Sequence, residues 1–291
     1  MRWTPGGRSS NVEDRRSQSG GRFPFPGGLR VGGGLGLGTI LLLAVLSIVF
    51  KTDFLSLLTS GEVPIGGAGS SAPARPVNDP AEEPMVEFVS FVLNDAQAIW
   101  ARLLAQTGTP YEDTRLVLFR DAIDSACGFA QSATGPFYCP GDRKVYIDLG
   151  FFTELRERFG APGDFAQAYV LAHEIGHHVQ TLLGTEAAVR RAQREGGEGS
   201  ALSVATELQA DCYAGIWAHW TANEAHLEEG DIEEGLGAAA AVGDDRLQRQ
   251  GGGRINPDAF THGSSRERAA WFRRGYESGS LDACDTFASR P

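Results

Sequence analysis

The 291-residue chain lacks the features of several common protein classes. It has no excess of positive charge, since 26 Lys and Arg residues stand against 37 Asp and Glu residues and the formal net charge is −11. Proteins that bind nucleic acid use basic surfaces to neutralise phosphates, so this balance argues against a nucleic-acid partner. No segment recurs at a fixed period, which argues against a repeat architecture. The length and composition indicate one substantial globular domain with appendages.

The four cysteines include no C-x-x-C pair, so the sequence lacks a typical cysteine-based zinc site. An even number of cysteines can form disulfides in an oxidising compartment, and four cysteines allow three pairings. We expect Cys127 to pair with Cys139 across a turn, and Cys212 to pair with Cys284. The alternative is four buried free thiols, which a domain inside the cytoplasm would favour.

The first 84 residues differ in composition from the rest of the chain. Residues 1–30 carry six arginines and many Gly, Ser and Pro residues, which predicts a disordered cytoplasmic tail. The uncharged run at 31–50 is long enough to span a bilayer, so we predict a single uncleaved transmembrane anchor at 31–51. The Arg-rich side should stay in the cytoplasm, which places the following domain outside it. The segment 52–84 is rich in Gly, Pro, Ala and Ser and is predicted to be a linker.

Two other interpretations of the apolar run fit the sequence less well. A cleaved signal peptide is disfavoured because the preceding segment is long and no A-x-A-like site follows Phe50. A buried core helix is disfavoured by the glycine-rich entry to the run.

Residues 85–291 are predicted to form the globular domain, with a mainly helical α+β fold. Apolar residues recur at helical spacing in the segments 85–107, 164–182, 200–223, 232–247 and 261–277. Short apolar runs at 116–119 and 145–149 predict strands of a small sheet. The segment 190–199 is charged and Gly-rich, which indicates an exposed connection.

The helix predicted from residue 164 contains the pattern H-E-x-x-H. Residues four apart lie on one helix face, so His173 and His177 can direct their imidazoles to one metal ion. This arrangement suits zinc, and Glu174 beside the first ligand can take a proton from a water on the metal. The sequence therefore predicts a catalytic zinc site with Glu174 as general base. The alternative is a chance match on an amphipathic helix.

A catalytic zinc ion usually has three protein ligands and a water. Leu183 occupies the position of the third histidine in the H-E-x-x-H-x-x-G-x-x-H pattern, which excludes that class. Glu207 and Asp211 share one face of a later, largely apolar helix, where an unpaired carboxylate would be costly. We predict that Glu207 is the third ligand and that Asp211 accepts the far N–H of a ligand histidine. The alternative is a solvated acidic face.

Two later residues are candidates for stabilising the transition state. His262 lies in a Gly/Ser loop at a helix start, where its imidazole could donate a hydrogen bond to a developing oxyanion. Arg268 could orient the substrate or stabilise the same charge. The alternative for His262 is a loop residue with no catalytic role. His178 lies about 100° around the helix from His177, so we expect it to pack rather than bind metal.

Taken together, these motifs resemble the bacterial putative neutral zinc metallopeptidase family. The resemblance is carried by NVEDRR at 11–16, GPFYCP at 135–140, VYIDL at 145–149, AHEIGHHVQ at 172–180, ELQADCYAG at 207–215, GDDRLQ at 243–248 and THGSSRER at 261–268. It implies a zincin-like fold with a glutamate as third zinc ligand. The helix that carries Glu207 is also similar to one in the membrane CAAX-processing peptidases, where a later histidine and an arginine six residues on assist the reaction. His262 and Arg268 match that pattern, with Gly263 where those enzymes have proline.

These observations predict a membrane-anchored zinc endopeptidase that binds one Zn²⁺ per chain and hydrolyses peptides or proteins in the cell envelope. The strand at 145–149 is expected to border the cleft and pair with extended substrate, and ordinary sheet packing is the alternative. Two other functions remain open, namely an interaction module with a structural zinc site and a zinc hydrolase of a non-peptide amide. The intact Glu174 favours catalysis, because a structural site needs no base beside its ligand.

Overall fold

The structure, a computed structural model, describes residues 1–17, 79–132, 135–252 and 254–288. The predicted anchor at 31–51 and most of the predicted linker at 52–84 lie outside these residues. Among the helices that are described, none combines the length and the apolar character needed to cross a membrane.

The described residues form a mainly helical α+β fold, as predicted. The helices are α1 (Glu83–Thr107), α2 (Gly150–Glu157), α3 (Asp164–Leu182), α4 (Thr185–Arg194), α5 (Gly199–Asn223), α6 (Asp231–Ala241), α7 (Asp244–Gln250) and α8 (Ser265–Ser278). The strands are β1 (Val12–Asp14), β2 (Arg115–Phe119), β3 (Ala122–Ser125), β4 (Gly128–Gln131), β5 (Phe137–Cys139) and β6 (Lys144–Asp148). Two short 3₁₀ turns, Pro257–Ala259 and Leu281–Cys284, complete these elements.

The strands form one small sheet and one hairpin. The sheet has the order β1-β2-β6-β5, in which β1, β2 and β6 are parallel and β5 is the antiparallel edge strand. The hairpin pairs β3 with β4. The two strands expected from the sequence are thus present as β2 and β6, which pair with each other. Four of the five residues of β2 and the three central residues of β6 are buried, as their apolar sequences predict.

The prediction of a disordered tail is wrong for residues 1–17. β1 extends the sheet along β2, and the buried side chain of Arg16 forms ion pairs with Asp14 and Glu82. The α-amino group of Met1 lies 2.7 Å from Asp164 Oδ1, at the start of α3. Composition misleads here because a polar segment that cannot fold alone can still add a strand to an existing sheet.

This packing also corrects the predicted membrane topology. Residues 1–17 and 79–288 belong to one compact unit. The chain leaves this unit beside Arg16 and returns beside Glu82, whose side chains form an ion pair. A single membrane crossing between those two points would place them on opposite sides. One crossing that leaves residues 1–17 in the cytoplasm and the domain outside it is therefore incompatible with this packing.

Two further segments differ from the sequence-based expectations. The connection expected at 190–199 is helical up to Arg194, as part of α4, in which no residue is buried. The single helix expected over 232–247 is interrupted at Gly243, between α6 and α7. Gly243 is extended rather than helical, and glycine is needed there because a Cβ would lie 2.3 Å from the backbone nitrogen of Ser265, at the start of α8.

Close backbone contacts bring α3, α5 and α8 together behind the cleft described below. A Cβ at Gly275 of α8 would lie 1.9 Å from the carbonyl oxygen of Cys212 on α5. A Cβ at Gly176 of α3 would lie 3.0 Å from the carbonyl oxygen of Ala210. Glycine at these two positions lets the three helices approach closely enough for their side chains to share one site.

Both expected disulfides, Cys127–Cys139 and Cys212–Cys284, are present. The first joins the end of β5 to the β3–β4 hairpin. The second joins α5 to the C-terminal segment. The alternative of four free thiols is wrong, and the two disulfides suggest a domain outside the cytoplasm, where an oxidising environment maintains such bonds.

Candidate metal centre

The three predicted metal ligands lie together where α3 meets α5. His173 Nε2 is 3.2 Å from Glu207 Oε2, and His177 Nε2 is 3.5 Å from Glu207 Oε1. One ligand atom from each residue lies within 4.8 Å of the other two. Two atoms bound to one tetrahedral zinc ion at its usual distances are about 3.3 Å apart, so these separations need little adjustment. His173, His177 and Glu207 therefore form a candidate metal site.

The second nitrogen of each histidine has a hydrogen-bond acceptor. His173 Nδ1 lies 2.9 Å from Asp211 Oδ1, and His177 Nδ1 lies 2.8 Å from Gln180 Oε1. Since these oxygens accept, Nδ1 carries a proton in both rings, and Nε2 is the atom of each ring that faces the site and can bind a metal once it is deprotonated. This is the tautomer that a metal requires.

Asp211 thus lies where the sequence placed it, but sequence reasoning missed Gln180. Its amide nitrogen donates to the carbonyl oxygen of Thr206 at 2.7 Å and to Gln209 Oε1 at 3.1 Å, and this turns its oxygen towards His177. The signal in the sequence was weak, because only the spacing of three from His177 marks Gln180 as a neighbour on the helix.

The electrostatics of the site favour a bound cation. Burial lowers the pKa of His173, but the charge of Asp211 and the hydrogen bonds to Asp211 and Glu207 outweigh burial and raise that pKa to about 10. Burial raises the pKa of Glu207, but the two histidines outweigh it and hold the pKa well below its usual range. A buried carboxylate is thus kept charged against two imidazoles. Two nitrogen donors and one oxygen donor in this setting fit zinc.

Arg268 lies behind the metal ligands and is held there. Its Nε donates to Asp211 Oδ2 at 2.8 Å, and its Nη2 donates to Asp211 Oδ1 at 3.0 Å. The same Nη2 donates to the hydroxyl of Tyr169 at 3.2 Å, and that hydroxyl also bonds to Asp211. The guanidinium is therefore engaged by a buried carboxylate, in a bidentate pair. This geometry favours a positioning role for Arg268, through Asp211 and His173, over the oxyanion contact that the sequence suggested.

His262 lines the same cleft, and its side chain is 48% exposed. Its Nδ1 lies 3.2 Å from Asp244 Oδ1. Asp244 Oδ2 accepts the backbone N–H groups of Thr261, His262 and Gly263 at 2.7, 2.7 and 3.1 Å. The hydrogen bond to Asp244, helped by the charge of Glu207, raises the pKa of His262 against the opposing effects of burial and of Arg268.

Asp244 is the second residue that sequence reasoning missed. It follows the helix break at Gly243, and the contact spans 18 residues, so spacing gave no indication of it. His178, which the sequence excluded from metal binding, is fully buried. Its Nε2 donates to the carbonyl oxygen of Glu112 at 2.7 Å, and its Nδ1 accepts from the hydroxyl of Tyr138 at 3.0 Å.

Glu174 lies in the wall of a cleft of about 680 Å³ that also contains the candidate metal ligands, His262 and Arg268. The residue is 8% exposed. Within the part of the chain that the structure describes, no group donates a hydrogen bond to its carboxylate. The carboxylate is therefore available to a water or to a substrate amine.

The edge strand β5 forms one wall of the cleft, through residues such as Phe137 and Tyr138. β6 lies between β2, which pairs with all of Lys144–Asp148, and β5, which pairs with residues 144–146 only. β5 therefore blocks substrate pairing at residues 145 and 146, whereas pairing of substrate with residues 147–149 stays a prediction.

Over residues 1–287 the sequence matches the family described as "Putative neutral zinc metallopeptidase". The chain belongs to this family. It is 45% identical over 289 residues to the uncharacterized protein YpfJ of Escherichia coli strain K12, with 99% of each chain covered. It is 46% identical over 208 residues to the uncharacterized protein Rv2575 of Mycobacterium tuberculosis strain H37Rv, which covers 67% of this chain and 68% of that protein. No solved structure matches the chain. The family resemblance seen in the sequence is confirmed.

Proposed function

We propose that this protein is a zinc-dependent endopeptidase that acts on peptides or proteins outside the cytoplasm. The observation that carries the proposal is the position of Glu174. Its carboxylate lies beside three residues that fit a zinc ion, and it faces an open cleft. A zinc site that is only structural is normally closed and needs no base next to its ligands.

Zinc, when bound by His173, His177 and Glu207, would polarise the scissile carbonyl and lower the pKa of a coordinated water. Glu174 would accept the proton of the attacking water and return it to the leaving amine. One carboxylate can serve both steps because the water and the amine occupy neighbouring positions along the reaction path. Asp211 keeps His173 in the required tautomer, and Arg268 keeps Asp211 in place.

His262 would act at the developing oxyanion. Asp244 holds its Nδ1, so the other ring nitrogen can donate a hydrogen bond into the cleft. The three backbone N–H groups on Asp244 fix the carboxylate in advance, which is the arrangement that makes electrostatic stabilisation effective. The role proposed for His262 is therefore the one that its sequence position suggested.

An extended substrate would pair with β5. This strand is the open edge of the sheet on the side of the cleft, and its unpaired backbone groups can hydrogen-bond to a peptide. The Cys127–Cys139 disulfide ends β5 and would hold the edge in position. Backbone pairing of this kind accepts many sequences, which is appropriate for an endopeptidase.

Residues 31–51 would hold the protein at the membrane by entering and leaving it on the outer side, because residues 1–17 and the domain belong to one unit. This differs from the topology expected from arginine content alone, because β1 belongs to the sheet of the domain. Substrates would then be peptides or proteins of the cell envelope.

The test uses the full chain in detergent, loaded with zinc and incubated with a mixed pool of denatured peptides, with mass spectrometry of the products. We expect new products from the wild type, and none from Glu174→Gln at equal zinc content. Glu157→Gln removes an exposed carboxylate on α2 and should cleave as the wild type does. Equal products from Glu174→Gln would refute the assignment of the base. A wild type that binds one zinc per chain and gives no products would favour an interaction module or a hydrolase of a non-peptide amide.

A further inference from the structure

The cleft is different at its two ends. Val170, Glu174, His177 and Thr181 all line it, and their spacing of three or four places them on one face of α3. At 1.5 Å per residue, this face runs for about 16 Å along the cleft. Glu174 and His177 lie in the middle, so the chain of a bound substrate would extend towards Val170 on one side and towards Thr181 on the other.

The end beside Val170 is apolar. Its other apolar lining residues come from two stretches of the chain, Phe151 and Phe159 from the first and Val242 and Leu247 from the second, and the first stretch also contributes Glu154 and Arg158 to the cleft. The rings of Phe151 and Phe159 lie 6.2 Å apart, and the guanidinium of Arg158 covers the ring of Phe159 at 5.3 Å. Arg246 Nη2 donates to the carbonyl oxygen of Phe159 at 2.8 Å, which holds α7, and with it Leu247, against this wall. These contacts give the apolar end defined walls.

The end beside Thr181 is polar. It is lined by Gln180, Thr181, Glu186 and Thr206, and Thr181 Oγ1 donates to Glu186 Oε2 at 3.0 Å. An apolar side chain placed at this end would cover groups that need hydrogen bonds, which is unfavourable. The two ends therefore select different side chains.

We infer that the apolar end, formed by Phe151, Phe159, Val170, Val242 and Leu247, is a specificity pocket for the bulky apolar side chain of the residue next to the scissile bond. The inference rests on the proposed peptidase function. Val170 lies one helical turn from Glu174, and such neighbours are about 5–6 Å apart, within reach of a side chain whose own backbone is at the reacting bond. The substrates are thus peptides with leucine, phenylalanine or a similar residue at that position.

The size of the preference follows from the chemistry of an apolar pocket. One methylene more or less in such a pocket changes discrimination by roughly 10-fold to 200-fold. Leucine exceeds alanine by three carbons, so we expect at least a tenfold preference for leucine over alanine. A glutamate side chain should bind less well than leucine, because its carboxylate would lose water against the apolar wall, where Arg158 over the Phe159 ring offers it one ion pair.

The test measures binding, so that it does not depend on turnover. The probes are the hydroxamates of N-acetylated phenylalanine, leucine, alanine and glutamate, each of which binds zinc and presents one side chain. Calorimetric titration of the zinc-loaded full chain should give phenylalanine and leucine probes a dissociation constant at least tenfold below that of the alanine probe. Leu247→Lys should weaken the binding of those two probes at least tenfold and leave the alanine probe unchanged. Gln250→Lys adds the same charge at an exposed site on the same helix and should leave all four constants unchanged.

Each outcome decides the inference. Equal binding of the four probes to the wild type, or no binding at one zinc per chain, would overturn it. A preference that persists in Leu247→Lys would also overturn it, because the pocket would then lie elsewhere. The peptide-cleavage assay answers the separate question of the proposed function, since a preference among hydroxamates can exist whether or not Glu174 supports hydrolysis.

Discussion

Asp211→Asn tests the central ionic contact of the site with almost no change in shape. Asp211 is fully buried, and its two oxygens accept from His173 Nδ1 at 2.9 Å and from Arg268 Nε at 2.8 Å. Asparagine offers one oxygen and one NH₂ group. Either His173 Nδ1–H or Arg268 Nε–H would therefore face the NH₂ group, which cannot accept a hydrogen bond. Arg268 would also lose its only carboxylate partner among the described residues while it stays buried.

The expected effects can be estimated separately for metal and for stability. Removing the hydrogen-bond partner of a ligand histidine typically lowers metal affinity by about 10–100-fold. Breaking a buried ion pair by removing one partner costs roughly 3–5 kcal/mol. For a domain of this size, each kcal/mol shifts Tm by about 2–4 °C, so a fall of roughly 6–20 °C is expected.

Zinc affinity is measured by competition with a chromogenic chelator, and Tm is measured on the metal-free protein, because bound metal itself raises Tm. The matched control is Asp124→Asn, which makes the same change at an exposed position on β3 and should alter neither quantity. The double variant of Asp211→Asn with Arg268→Met removes both buried charges and should regain part of the lost stability without regaining zinc affinity. Wild-type zinc affinity in Asp211→Asn would refute the reasoning that Asp211 fixes His173.

Three further predictions follow from other parts of the structure. The hydrogen bond to Asp244 raises the pKa of His262, so activity that needs the protonated imidazole persists below that pKa and is lost as pH rises through it. Asp244→Asn should therefore move the alkaline limb of the pH–rate profile to lower pH. An unmoved limb would contradict this role of Asp244. Replacing both cysteines of the Cys212–Cys284 disulfide by alanine should lower the free energy of unfolding by about 4 kcal/mol, because the bond closes a loop of 72 residues. Urea titration measures this change, and an unchanged midpoint would contradict the prediction. Ser10→Cys and Gln193→Cys should react equally with a membrane-impermeant maleimide in intact cells, since β1 and α4 belong to one unit, and labelling at one of them alone would refute the shared side.

The metal ligands could be predicted because their geometry is local in the sequence. His173 and His177 are one turn apart on α3, and Glu207 and Asp211 are one turn apart on α5, so helical periodicity alone decides which faces they occupy. The apolar residues around Glu207 then indicated a buried carboxylate that needs a cation. The one assumption that helical periodicity could not supply was that α3 and α5 pack against each other.

The remaining contacts depend on tertiary packing, which spacing does not encode. The pairing of β1 with β2 joins Val12 to Leu116 across about a hundred residues of chain, and nothing in the composition of the N-terminal segment indicates a strand partner. The contact between Asp244 and His262 needs the break at Gly243, where the backbone closely approaches Ser265. Such contacts can be predicted only once the relative positions of the helices and strands are known.

Arg268 shows why a correct residue can be given an incomplete role. The sequence marks it as a cation near His262, but burial changes what a cation can do. The positive charge of the guanidinium is largely neutralised by the carboxylate that binds its Nε and Nη2, so it would attract a substrate oxyanion only weakly. The same two hydrogen bonds fix the position of that carboxylate. The same Asp211 precedes Cys212, which is bonded to the C-terminal segment, and lies where α8 approaches α5 at Gly275. The contacts that orient His173 are therefore also contacts that hold α3, α5 and α8 together. Changes at this point should weaken zinc binding and folding at once, and only paired substitutions that remove both buried charges can separate the two.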